Sequence, residues 1–193
     1  MAYKIPKIPI LTELVGVEKR VQDLQQNISE LDWLEYSFGL AKGVNIGNEE
    51  DENIAPMVYT GVNSDSLDVR MWPDDTYKSY AFWVLTEANE FLYYDNVNAA
   101  RRSPKMQQPI ALIVCLDNKK ISHDQDHTVT HSVCREELID KLNNKNISNG
   151  IFQITAVIQN VAEVFGDFET KPLQEPYSCF RVEGLLTYTK DCT

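Results

Sequence analysis

The alternation that decides the fold lies in Pro176-Tyr-Ser-Cys-Phe-Arg-Val-Glu-Gly-Leu-Leu-Thr-Tyr-Thr-Lys-Asp-Cys192. In an extended strand, successive side chains point to opposite faces of the sheet. The apolar face then carries Phe180, Val182, Leu186 and Tyr188, and the polar face carries Arg181, Glu183, Thr187 and Thr189. The segment predicts a strand with its apolar face in the core, and Gly184 permits a bulge or a close approach of another backbone.

Outward from this strand, the sequence predicts two helices and several further strands. Leu14, Val17, Val21, Leu24, Ile28 and Leu31 form an apolar stripe. Their spacing predicts an N-terminal helix of about five turns with Thr12 as its N-cap. The stripe indicates packing on the chain's own sheet or, alternatively, a helix seam between subunits. A second helix is predicted near 133–145, and strands near 56–61, 67–72, 77–85, 109–116 and 152–158.

These elements predict one α+β domain over residues 1–193 with a mainly antiparallel sheet. The longest apolar run, Ile110 to Cys115, is too short to cross a membrane. The first residues contain Lys4 and Pro6 instead of the apolar core of a signal peptide, so a soluble protein made inside a cell is expected. The four cysteines contain no Cys-x-x-Cys pair and are interpreted as reduced thiols.

Charge sets a limit on the function. The chain has 18 basic and 29 acidic residues, for a net charge of -11. Proteins that bind nucleic acid neutralise phosphates with Lys and Arg, so this balance argues against such a surface. An acidic wall along which DNA slides without sticking remains compatible with it.

Two predicted loops carry opposite charge. The first is a mobile acidic loop over 44–55, because four adjacent carboxylates repel one another. The second, over 95–109, holds the basic cluster of the chain. Their charged residues are Glu49, Glu50, Asp51 and Glu52 in the first loop and Arg101, Arg102 and Lys105 in the second. The two loops either pair between neighbouring subunits or are unrelated and solvated.

The three histidines, His123, His127 and His131, follow one another at intervals of four. With Asp124, Asp126 and Cys134 nearby, a zinc or other transition-metal site is chemically possible. No standard zinc signature matches, and a polar linker between a strand and a helix explains the segment equally. Nucleophile, phosphate-loop and dinucleotide motifs are missing, so neither catalytic residues nor a cofactor are predicted.

Several segments together resemble a family of small structural proteins. They are the N-terminal helix, Leu31-Asp-Trp-Leu-Glu-Tyr-Ser-Phe-Gly39, Pro56-Met-Val-Tyr59, Pro73-Asp-Asp75 before the strand at 77–85, and Pro176-Tyr-Ser-Cys-Phe-Arg-Val-Glu-Gly184. The family comprises head-tail connector or tail-completion proteins of tailed bacteriophages and prophages of gut Bacteroidetes, including crAss-like phages.

This resemblance implies a non-enzymatic ring in the phage neck that joins the capsid portal to the tail and completes the DNA conduit. Its partners are then copies of itself, other neck, portal and tail proteins, and genomic DNA that passes without sequence-specific binding. Membranes are not among the expected partners. The protein is then expected in the virion at the head-tail interface, and in the host cytoplasm during assembly.

In such a ring, we expect subunit contacts at both charged loops and at Arg181 and Glu183. An extended arm over residues 1–11 either drapes over the adjacent subunit or is a disordered terminus. Two other functions stay open at this point. One is a soluble cellular binding or adaptor module, and the other is a metal-dependent enzyme built on His123, His127 and His131.

Overall fold

The computed structural model describes residues 6–10, 14–47, 53–61, 69–71, 73, 76–87, 90–93, 105–122, 127–143, 145–147, 150–166, 168 and 175–189. Along the chain the elements are α1 (Gly16–Ile28), β1 (Tyr36–Leu40), β2 (Lys42–Asn45), β3 (Ile54–Val58), β4 (Val69–Arg70), β5 (Ser79–Leu85), β6 (Phe91–Tyr93), β7 (Lys105–Asp117), α2 (Asn118–Ile121), α3 (His127–Leu142), β8 (Lys145–Ile147), β9 (Gly150–Ile158), α4 (Val161–Val164) and β10 (Tyr177–Thr189). The mixed α/β class is confirmed.

A seven-stranded sheet forms the centre, with the order β1-β5-β7-β10-β9-β8 and with β6 pairing to β7. Only the β1–β5 pair is parallel among the pairings of the described strands, so the predicted mainly antiparallel sheet is confirmed. A second sheet of three strands has the order β2-β3-β4.

The core lies on both faces of the large sheet. On one face, α1 and α3 contribute Val21, Leu24, Leu138 and other buried side chains. On the opposite face, Val58 and Met71 from the region of the small sheet and Val164 of α4 pack against β5 and β7. Coverage from both sides explains the continuous apolar run at 110–116, because strands buried on two faces do not alternate.

The predicted long N-terminal helix is shorter than expected. α1 spans 13 residues, and Val15 holds its N-cap position without a side-chain cap. Gly16 has a φ of 58°, a left-handed conformation in which the chain enters the helix at an angle. Thr12 lies outside the described residues. At the other end, Leu31 N donates to Ile28 O in a turn, so Leu31 packs on the core from beyond the helix.

The second predicted helix begins earlier than residue 133. α3 runs from His127 to Leu142, because Thr130, Cys134, Leu138 and Leu142 form a buried stripe four residues apart. Two of these positions, and half-buried His131 beside them, are not strongly apolar residue types. The sequence pattern therefore hid the first turns of this helix.

β10 follows the predicted alternation from Val182 onward, whereas Cys179 and Arg181 on the other face are buried as well. Phe180, Val182 and Leu186 are fully buried and Tyr188 is nearly so, which confirms the apolar face. The register against β9 shifts between Glu183 and Gly184, as expected for a bulge. A Cβ at Gly184 would lie 2.7 Å from the backbone oxygen of Gln153, and closer still to the Phe152 ring. Both expectations for Gly184 are thus met.

The described part of the N-terminal arm, residues 6–10, lies on its own chain. Ser37 N of β1 donates to Lys7 O at 2.9 Å, and Gln25 Nε2 of α1 donates to Pro9 O at 2.9 Å. Pro9 is buried in this contact. β1 is the outer strand of the large sheet, so these residues cover its edge.

The predicted acidic loop over 44–55 is narrower in the structure. Asn45 pairs with Ile54, and Val44 with Ala55, in the antiparallel β2–β3 hairpin. The four carboxylates of residues 49–52 lie outside the described residues.

In the part of the chain that the structure describes, no helix is both long and apolar enough to span a membrane.

Candidate interaction surface

Arg181 and Glu183 bind each other. Arg181 Nη2 lies 2.8 Å from Glu183 Oε1, and Arg181 is only 9% exposed. The Arg181 guanidinium lies under the turn after α4, where a Cβ on Gly166 would meet Nη1 at 2.6 Å. Arg181 is therefore largely committed to its own chain, and Glu183 is the more accessible member of the pair.

The other predicted contact residues are only partly covered by the structure. Glu49, Glu50, Asp51 and Glu52, together with Arg101 and Arg102, lie outside the described residues. Lys105 is the first residue of β7, where it pairs in register with Thr189 of β10 and Tyr93 of β6. Lys105 therefore lies at one end of the sheet, and the other two residues of the basic cluster precede it in the chain.

Of the histidines, only the side chain of His131 is described. His123 lies outside the described residues, and His127 begins α3. The His131 ring packs edge-on against Phe180, with centroids 5.3 Å apart and an interplanar angle of 89°. Burial, followed by the nearby Arg135 charge, lowers the pKa of His131. This environment favours the neutral imidazole.

Cys134, one turn further along α3, is also buried. Burial, and then the Glu137 charge, raises the pKa of its thiol to about 11. Among the residues that the structure describes, no group of three or more His, Cys, Asp or Glu side chains is placed to hold a metal ion. The positions of His131 and Cys134 are those of packing residues under the sheet.

A surface that the sequence patterns did not reveal lies on the large sheet, on the face opposite α1 and α3. Strand register brings two rows of side chains together there. One row is Phe91, Gln107, Thr187 and Ile151, and the next is Pro109, Leu185 and Gln153. We call these seven residues the outer face.

The outer face is accessible and carries no charge. Phe91 is 48% and Ile151 37% exposed, at opposite ends of one row, and Gln153 is exposed as well. The other four side chains are half-buried. Gln107 Nε2 donates to Thr187 Oγ1 at 3.3 Å and ties the middle of the row together. The result is a neutral and partly apolar area on a chain of net charge -11.

A groove lies between the start of α1, the β1–β2 junction and the end of β5. Its volume is about 540 Å³. Val15, Val17, Leu40 and Leu85 supply apolar walls, and Glu18, Lys42 and Glu90 supply polar groups. Grooves of roughly 300–1,000 Å³ commonly accommodate small molecules. No sequence motif indicated this groove.

A scan against protein-family models gave no match, and a search of curated proteins likewise found none.

Proposed function

We propose that the protein is a non-enzymatic structural component of a phage neck, in which copies of the chain form a ring between the capsid portal and the tail. The outer face is the observation that carries this proposal. It offers an accessible sheet surface whose composition suits contact with another protein, and its seven residues form no arrangement typical of a catalytic centre.

The partner proposed for the outer face is a second copy of the chain. Two copies of charge -11 repel each other, and the repulsion is weakest where the approaching surfaces carry no charge. The centres of protein interfaces are depleted of charged residues and enriched in aromatic ones, which fits Phe91 and its row. If the outer face meets a different surface of the next copy, repetition of this contact forms a ring when the rotation between neighbours closes, and an open filament when it does not.

The overall charge fits a DNA conduit. A channel wall rich in carboxylates does not neutralise phosphates, so DNA passes through it without being retained. Other neck, portal and tail proteins are the further partners in this proposal. Glu49 to Glu52 and the cluster of Arg101, Arg102 and Lys105 are proposed to pair at the rim of the contact, where they orient neighbouring subunits.

The assembly test uses the full chain, native mass spectrometry and negative-stain electron microscopy. Phe91→Glu and Ile151→Glu each place a carboxylate in the proposed contact, and we expect roughly a tenfold loss of assembled protein from the cost of burying that charge. Val133→Glu is the matched control, because Val133 is 44% exposed on α3, which packs on the other side of the sheet.

Wild-type protein should form rings and should be found in purified virions. The proposal fails if the wild type stays monomeric at high concentration and is missing from virions. It also fails in its choice of surface if Phe91→Glu and Ile151→Glu assemble as well as Val133→Glu does.

The groove favours a second candidate, a soluble binding module for a small molecule with an apolar body. Leu85→Glu places a carboxylate in one apolar wall of the groove, at a residue that is already 40% exposed. Native mass spectrometry of protein purified from its source checks this candidate. It predicts a retained ligand in the wild type that Leu85→Glu loses, and it predicts no effect of Phe91→Glu on that ligand.

A further inference from the structure

Two cysteines lie directly opposite each other at the centre of the large sheet. Cys115 of β7 is paired in register with Cys179 of β10, and the two strands are antiparallel. Both thiols are free, and the residues are 1% and 3% exposed. Opposed residues in such a pair have Cα atoms about 4.5 or 5.5 Å apart, and disulfides form at about 4.4–6.8 Å. The backbone already has the spacing that a disulfide requires.

The surroundings keep the reduced pair stable. Cys115 and Cys179 lie in the apolar cluster between the sheet and α4, with Val164 and Phe165 in the same cluster. Burial, and then the hydrogen bond with the Cys115 thiol, raises the pKa of Cys179. Because the thiolate is the reactive form, oxidation of this pair is expected to be slow. A reducing cytoplasm then maintains both thiols.

We propose that Cys115 and Cys179 are a redox-closable pair that hydrogen peroxide converts into a cross-strand disulfide. Each sulfur loses one electron and its proton, and a bond forms between the two Sγ atoms. The O–O bond of peroxide breaks, and its oxygens leave as two water molecules. The first attack gives a sulfenic acid at one cysteine, and the opposed thiol displaces water from it.

The disulfide would join β7 and β10, the two longest strands described. Its two cysteines are far apart along the chain. A cross-link that closes a long loop lowers the entropy of the unfolded chain and thereby stabilises the fold. The inference does not depend on the proposed neck function. For a virion protein, it means that the link can form after the particle leaves the reducing cell.

The experiment treats the folded full-length protein with hydrogen peroxide and then denatures it in an alkylating reagent. We expect the mass of two hydrogen atoms to be lost, two fewer alkyl groups, and a peptide map that links Cys115 to Cys179. The Tm should rise by roughly 5–15 °C. Cys115→Ala and Cys179→Ala should each abolish the linked peptide and the rise in Tm on oxidation. Cys134→Ser should retain both.

The peptide map of the wild type decides the result even if an alanine variant fails to fold, which circular dichroism will show. The proposal is overturned if Cys115 and Cys179 remain open to alkylation after exhaustive oxidation. It is equally overturned if they gain oxygen atoms without linking, or if the bond that forms involves Cys134 or Cys192.

Discussion

At Gly184, β10 passes close to the Phe152 side chain and the Gln153 backbone of β9. A methyl group there would meet the Phe152 ring and lie 2.7 Å from Gln153 O, and the backbone atom cannot move aside without disturbing the strand pair. We expect Gly184→Ala to lower the free energy of unfolding by about 1–3 kcal/mol, measured by urea denaturation.

Gly39→Ala is the control for this substitution, because a Cβ there lies 3.4 Å from Gln25 Oε1, which is ordinary van der Waals contact. Equal urea midpoints for the two variants would show that the close approach at Gly184 does not constrain the sheet.

His131 gives the fold a predictable response to acid. Its pKa is below 6.5 in the folded protein, because of burial and then Arg135, so the unfolded chain binds the proton more readily. The stability that neutral His131 contributes is complete above pH 6.5 and is lost as the pH falls toward the lower folded-state pKa. His131→Gln should therefore reduce the loss of unfolding free energy between about pH 7.5 and about pH 5.5. Urea titrations at both pH values measure this loss, and identical losses in the two proteins would contradict the assignment.

At the scale of elements, residues 6–10 act as a cover for the edge of β1. Deletion of residues 1–9 removes the acceptor for Ser37 N, one of the two acceptors for Gln25 Nε2, and buried Pro9. We expect the deletion to cost about 1–3 kcal/mol of unfolding free energy. Bared strand edges also template association, so aggregation on heating should increase.

Deletion of residues 1–5 is the matched control for this arm, since it leaves Lys7 and Pro9 in place. Chemical denaturation and light scattering compare the two truncated proteins. If both behave like the full chain, the arm does not protect β1.

The elements also show what a sequence can reveal and what it cannot. Alternation or apolar runs predicted β5, β7, β9 and β10, because each buries at least one face. The pattern of α1 identified its buried face but overestimated its length, since neither Gly16 nor the turn at Leu31 interrupts the apolar stripe. β2 escaped prediction because all four of its residues are exposed.

The outer face could not be predicted from the sequence, for a related reason. Phe91, Gln107, Thr187 and Ile151 come from four different strands and span most of the second half of the chain. Only the register of β6, β7, β10 and β9 places them in one row. The predicted site residues Arg181 and Glu183 were correctly assigned to one face of β10, but their mutual ion pair depends on local geometry that alternation does not specify.

For the whole molecule, the charge distribution predicts how assembly responds to salt. Replacing Arg101 and Arg102 with glutamate turns the proposed attraction to residues 49–52 into repulsion. We expect less assembled protein at about 50 mM salt and a much smaller difference from the wild type at about 500 mM, because salt screens exposed charges. Sedimentation velocity at both concentrations gives the assembled fraction.

The control for charge reversal changes the net charge by the same amount elsewhere. Lys42 of β2 and Lys119 of α2 are exposed, so Lys42→Glu with Lys119→Glu tests the effect of total charge. If both double variants lose assembly equally, general repulsion accounts for the loss. If neither loses any, the proposed loop pairing is wrong.

The position of β10 between β7 and β9 affects the kinetics of folding. All 13 residues of β10 pair with β7, although three helices and two strands intervene in the described part of the chain. In the described sheet, β10 is the strand that joins β1-β5-β7 to β9-β8, so these two groups are not paired with each other until β10 is in place. Pairings so distant in sequence form slowly, and the apolar surface that awaits them stays open to wrong partners. The rate at which β10 inserts therefore determines how long a newly made chain remains prone to misfolding and aggregation.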